Sequence, residues 1–148
     1  MSKKDKNKNK TPKTVFDPIE SKTPKARVFP SEGNHPEFRT EQMDKEGPWG
    51  WNKFEPSLIQ ELLQKIFETQ KLTWQELRDN GSHPVLYDQL SAEAQKRLRQ
   101  LQKDDLDELY SLHISGLKRI WGVKEGNLFL ILWWDPKHEV CPSPKKHT

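Results

Sequence analysis

The chain has 148 residues, of which 32% are apolar and 32% are charged, with a net charge of +3. That length suits one domain, and so low an apolar share leaves part of the chain unpacked. One cysteine, Cys141, excludes an internal disulfide framework and a cysteine-rich metal site.

No apolar run approaches the roughly 20 residues that a bilayer span needs. The Lys-rich start has no apolar segment behind it, so it does not read as a secretory signal. A cytoplasmic protein with no membrane partner is the expectation. The charge is uneven. Residues 1–40 carry ten Lys/Arg against five Asp/Glu, and residues 41–148 carry fifteen against seventeen. The basic character therefore lies in the first part, and the expected folded domain is near neutral.

Residues 1–45 read as a disordered basic tail. Val15, Phe16, Ile19, Val28 and Phe29 are its few apolar side chains, and prolines separate them. Such a segment buries too little surface to offset its ordering entropy. It either keeps the chain in solution or acts as a basic arm for a polyanion or partner protein.

A single domain is expected over residues 46–142, followed by a flexible tail over 143–148. Order should begin at Pro48-Trp49-Gly50-Trp51-Asn52-Lys53-Phe54. This cluster reads either as a lid on the core or as a platform for stacking bases. Pro56 suits a first helical turn. Leu58, Ile59, Leu62, Leu63, Ile66 and Phe67 follow at helical spacing, as a stripe to be buried against a sheet. Thr73 and Glu76 have capping-box spacing for a second helix, and Asn80-Gly81 ends it.

Pro84 disfavours helix at His83, so His83-Pro84-Val85-Leu86-Tyr87 reads as extended. Ser91 caps a third helix that runs to about Lys103. Its basic residues Lys96, Arg97, Arg99 and Lys103 read as a solvated face or as phosphate contacts. Asp104, Asp105, Asp107 and Glu108 lack the spacing of a calcium loop and read as a polar corner.

Residues 109–115 then form a strand with Tyr110, Leu112 and Ile114 on one face and Ser111 and His113 on the other. Gly116 permits a tight return into a strand over 118–123. Gly126-Asn127 turns the chain again into Leu128-Phe129-Leu130-Ile131-Leu132-Trp133-Trp134, an apolar run that fits a strand buried on both faces. Asp135-Pro136 stops it. Glu139-Val140 could add a short edge. The whole is an α+β domain, with helices on one face of an antiparallel sheet of three to four strands.

The stretch Leu112-His113-Ile114-Ser115-Gly116-Leu117-Lys118-Arg119-Ile120-Trp121-Gly122-Val123, after several helices, resembles the C-terminal half of RelE/ParE-type toxins. The segment from Arg119-Ile120-Trp121-Gly122 to Trp133-Trp134-Asp135-Pro136-Lys137-His138-Glu139-Val140 also resembles a group of bacterial proteins of unassigned role. The resemblance covers residues 83–142. It implies a RelE-like fold and a toxin of a toxin–antitoxin system. It also implies metal-independent cleavage of mRNA on the ribosome, an antitoxin partner and no cofactor.

RNA cleavage by a neighbouring 2′-hydroxyl needs a base, a cation for the phosphate and an acid for the leaving oxygen. Arg119, His138 and His113 are the catalytic candidates. Lys118, Lys137, Lys145 and Lys146 are candidates for nucleic-acid contact. Each has a plainer reading: His138 hydrogen-bonded to Asp135, His113 half-buried in its strand, Arg119 paired with Glu125 or Glu139, and the tryptophans as core. The rival function is a non-catalytic adaptor domain of the same fold that binds protein or nucleic acid. No phosphate loop, nucleophile elbow or zinc-protease motif is present, and the histidines show no metal-ligand spacing. His138 and Cys141 alone make a weak metal pair.

Overall fold

The computed structural model describes residues 34–142. Residues 1–33 and 143–148 lie outside the described residues, and with them Lys145, Lys146 and the short apolar motifs of the tail.

The centre is a run of three antiparallel strands, β3 (Glu108–Ser115), β4 (Lys118–Glu125) and β5 (Leu128–Asp135). The two glycine turns sit where expected. Gly116 and Gly126 have φ of +53° and +60°, values that only glycine adopts at little cost. β2 (His83–Leu86) adds antiparallel to β3, and β1 (Glu37–Arg39) adds parallel to β5, with Glu37 opposite Leu128. The sheet order is β1-β5-β4-β3-β2. The sheet thus has five strands rather than three to four. One of them falls within the stretch assigned by sequence to the tail. Residues 139–140 add no strand.

Three helices cover this sheet: α1 (Ile59–Gln70), α2 (Trp74–Asp79) and α3 (Ala92–Gln100). Leu62 of α1 and Trp74 and Leu77 of α2 pack with Tyr110, Leu112, Ile114, Ile120, Phe129 and Trp134. Ala94 and Leu98 of α3 pack with Leu109, Trp121, Leu132, Trp133 and Val140. Neighbouring strand residues alternate between these clusters, so helices lie on both faces. The expected single covered face is corrected here. A strand as apolar as β5 can be stable only if both its faces are covered.

The β4–β5 pairing slips once. Trp121 pairs with Trp133 and Gly122 with Ile131, which leaves Leu132 as the extra residue of a bulge. Its carbonyl accepts from the Asp44 N–H at 3.0 Å and from Trp51 Nε1 at 3.1 Å. The bulge therefore anchors the segment that precedes α1. Trp49 packs against Trp133 at 5.0 Å with the rings tilted by 49°, and Phe54 meets Trp134 edge-on at 5.5 Å. In the Trp49–Phe54 cluster, Trp49 is part of the core and Trp51 and Phe54 pack against it.

Local signals act as expected at the helix starts. Thr73 and Glu76 form the reciprocal capping box, and Ser91 Oγ accepts from the Ala94 N–H at 3.1 Å. The α1 stripe is only partly buried. Leu62 is enclosed, whereas Ile59, Leu63 and Phe67 are about half exposed. Among the described residues, no helix is long and apolar enough to cross a membrane.

Candidate functional site

The end of the sheet nearest the β3–β4 turn gathers the polar groups singled out from the sequence. His113 stands directly opposite Arg119 in the β3–β4 register. The pairing then slips, and Ser115 meets Lys118. This bulge precedes the Gly116-Leu117 turn. Arg119 in turn stands opposite Asp135 in the β4–β5 register, and the chain leaves β5 there into the turn that carries Lys137 and His138.

Arg119 is half-buried. One guanidinium nitrogen donates to the Gly116 carbonyl at 2.6 Å and to the Lys118 carbonyl at 3.0 Å. The remaining N–H groups of the fork make no protein hydrogen bond among the described residues. The expected pairing with Glu125 or Glu139 is not found. Burial lowers the Arg119 pKa, and the Asp135 carboxylate opposes that shift.

His113 is held by its backbone, whose N–H donates to Ser82 Oγ at 2.9 Å. Its ring lies against Gly81, with 3.7 Å between a ring carbon and the position of an added Cβ. Burial lowers the His113 pKa first, and the positive charges of Arg119, Lys65 and His138 lower it further. The imidazole is therefore neutral at pH 7. His138 lies three residues beyond Asp135, the residue opposite Arg119. His138 adopts a left-handed backbone, with φ of +61°. No hydrogen bond joins its ring to Asp135, which instead accepts from the Glu139 and Val140 N–H groups.

Two of the four lysine candidates are described. Lys118 is engaged, because its Nζ donates to Glu61 of α1 at 2.8 Å and Ser115 Oγ donates to the same carboxylate at 2.9 Å. These two donors hold the Glu61 carboxyl below its ordinary range. Lys137 is exposed and has no acidic partner among the described residues. The result is a basic end of the sheet with His113, Arg119 and His138, where Asp135 is fully buried and turned to other donors, Glu61 is taken by Lys118 and Ser115, and Lys65 of α1 lies 3.8 Å from Glu68.

Sequence reasoning did not find Glu61, Ser115 or Lys65. Their link to the site depends on how α1 docks on the sheet, and no local pattern reports that. It also read Arg97 as part of a solvated face or a phosphate contact. Arg97 grips the buried Asp44 with two bonds, at 2.9 and 2.8 Å. Trp133 Nε1 donates to the same carboxylate at 2.8 Å.

Among the described residues, no group of three or more His, Cys, Asp or Glu could hold a metal ion. Cys141 Sγ donates to the Gln89 carbonyl at 3.3 Å, and burial raises its pKa. A protonated thiol is a poor nucleophile and a poor metal ligand. Comparison of the chain with protein-family models, curated proteins and solved structures gives no match.

Proposed function

We propose that this chain is a cytoplasmic, toxin-like protein of a toxin–antitoxin system that cleaves RNA without a metal. The observation that supports this reading is the pairing of His113 with Arg119, and of Arg119 with Asp135 at the start of the turn that carries His138, at one end of the sheet. Neutral His113 takes the proton of the 2′-hydroxyl as that oxygen attacks phosphorus. Arg119 bonds the phosphate oxygens with its free N–H groups as charge builds on them. His138 in its protonated form gives a proton to the departing 5′-oxygen. The products are a 2′,3′-cyclic phosphate and a 5′-hydroxyl. Lys137 holds a neighbouring phosphate. The partners in this reading are RNA or the ribosome and an antitoxin protein.

The test is tightly controlled expression of the wild-type chain beside Arg119→Ala and His138→Ala, with folding checked by circular dichroism. Growth arrest by the wild type and relief in both variants is expected. So is cleavage of RNA by the purified chain in chelator. A wild-type chain that neither slows growth nor cuts RNA would sink the reading.

The exposed side chains Ile59, Leu63 and Phe67 on α1 favour a second reading, a non-catalytic adaptor domain. An adaptor retains its partner in pull-down experiments after Arg119→Ala and loses it after Leu63→Glu.

A further inference from the structure

A cleft of about 260 Å³ opens between α2 and the sheet, far along β4 from Arg119, and Trp74, Arg78, Pro84, Glu108, Tyr110 and Lys124 line it. Its polar groups are mostly donors. Trp74 is 9% exposed, and its Nε1 is shielded from solvent with no hydrogen-bond acceptor among the described residues. Such an N–H is costly unless a further atom accepts from it. Burial raises the Tyr110 pKa despite the charge of Arg78, so its hydroxyl stays protonated and can donate. Arg78 and Lys124 are exposed and have no acidic side-chain partner among the described residues. Lys124 Nζ donates to the Gly126 carbonyl at 2.9 Å and rests 4.7 Å above the Trp74 ring, and Tyr110 packs edge-on to that ring at 5.1 Å.

We propose that this cleft binds a small aromatic carboxylate bearing an amino group, the class that includes the aromatic α-amino acids. Two cations beside the Tyr110 hydroxyl call for an anion, and the planar fork of Arg78 suits a carboxylate. Lys124 moves from the Trp74 face to the second carboxylate oxygen, and the ligand ring takes its place between Trp74 and Pro84. Glu108, the only acid in the lining, accepts from the ligand's amino group. The volume lies below the roughly 300–1,000 Å³ typical of drug-sized ligands, which limits the occupant to about one ring and its charged groups.

The test follows the indole N–H resonances of the full-length chain by ¹⁵N NMR. The chain has six tryptophans, and Trp74→Phe assigns the relevant peak. L-Phenylalanine should move the Trp74 peak saturably, with Kd of about 1 mM or tighter. 2-Phenylethylamine, which lacks the carboxylate, should bind at least about tenfold more weakly, and Arg78→Gln and Lys124→Gln should weaken L-phenylalanine similarly. The other indole peaks, unmoved, verify that each surface variant is folded. No saturable shift by about 10 mM L-phenylalanine, or a shift unchanged in both variants, overturns the proposal. Equal affinity for 3-phenylpropionate, which lacks the amino group, overturns the role of Glu108.

Discussion

Asp135 accepts a hydrogen bond from Trp121 Nε1 at 3.0 Å, and both side chains are fully buried. The same carboxylate accepts from the backbone N–H groups of Glu139 at 2.8 Å and Val140 at 3.0 Å. One side chain thus ties the centre of the sheet to the turn that holds His138. Val140 is itself buried, and its carbonyl accepts from the Ser91 N–H at 2.8 Å, which carries the link to the start of α3.

Removing this carboxylate leaves three donors without their acceptor. Each buried unsatisfied donor costs about 1–3 kcal/mol, so Asp135→Ala should destabilise the domain by about 3 kcal/mol or more. Asp135→Asn keeps the shape and one acceptor oxygen, and should cost less. Urea denaturation of the three chains measures both values. A cost below about 1 kcal/mol for Asp135→Ala would show that Val140 packing alone holds the turn.

A second buried carboxylate sets the response to acid. Burial alone would raise the Asp44 pKa, but the Arg97 fork, Trp133 Nε1 and the Glu46 N–H outweigh it and hold the carboxyl below its ordinary value of 3.8. A depressed folded pKa means that stability from this group is complete above the unfolded value. It is lost as pH falls through the folded value. Wild type should therefore lose stability more steeply than Asp44→Asn as pH falls below the ordinary carboxyl value of 3.8. At neutral pH that variant should be weaker by about 1–3 kcal/mol, a range discounted because Arg97 remains partly solvated. Chemical denaturation across pH checks both. Parallel acid limbs in the two chains would assign the acid response to other carboxylates.

The elements that could be read from the sequence were those encoded within a few residues. The Thr73–Glu76 box, the Ser91 cap, both glycine turns and the three central strands each rest on local patterns. β1 did not show because its three residues are stable only against Leu128–Leu130, far along the chain. Asp44 and Arg97 are also distant, so nothing near either residue marks it as half of an ion pair. The helix arrangement could have been read better. An apolar run through residues 128–134, buried on both faces, already requires cover on both sides of the sheet. In the candidate site, the sequence set His113 and Arg119 on consecutive strands around the Gly116 turn, but regular pairing would put Ile114 opposite Arg119, and the bulge that brings His113 there has no local signal. The contribution of α1, through Lys65 and Glu61, depends on packing angle and was not legible.

Gly122 is a position where a single methyl group should be costly. A Cβ there would lie 2.8 Å from Phe129 Cζ and would also strike the Leu130 carbonyl. Phe129 is fully buried and makes edge contacts with Phe38 at 5.7 Å and Tyr110 at 6.1 Å, so it has little room to shift. Gly122→Ala should destabilise the domain by about 1–3 kcal/mol through overpacking. If the Phe129 ring is the obstacle, adding Phe129→Leu should cost less in that background than in wild type. Thermal denaturation of the two single variants and the double variant measures this coupling. Strict additivity would assign the cost to the Leu130 backbone instead.

The end of α3 offers a substitution in the opposite direction. The Lys103 N–H donates to the Leu98 carbonyl at 2.8 Å, and the Gln102 N–H donates to the Arg99 carbonyl at 3.0 Å. This is the double bond of a Schellman motif, and it ends the helix at Gln100 rather than near Lys103. The motif needs a left-handed residue between helix and exit, and Gln102 supplies it with φ of +59°. A side chain with a Cβ pays about 1–2 kcal/mol for that conformation. Glycine removes most of this cost but has more freedom to lose from the unfolded chain, which returns part of the gain. Gln102 is exposed and makes no side-chain hydrogen bond among the described residues, so little else changes. Gln102→Gly should therefore stabilise the domain by about 0.5–1 kcal/mol. For a folded unit of this size, that is a rise in Tm of roughly 2–6 °C. A calorimetric scan of the two chains reads it directly, and a lower Tm for the variant would mean that the Gln102 side chain contributes to packing.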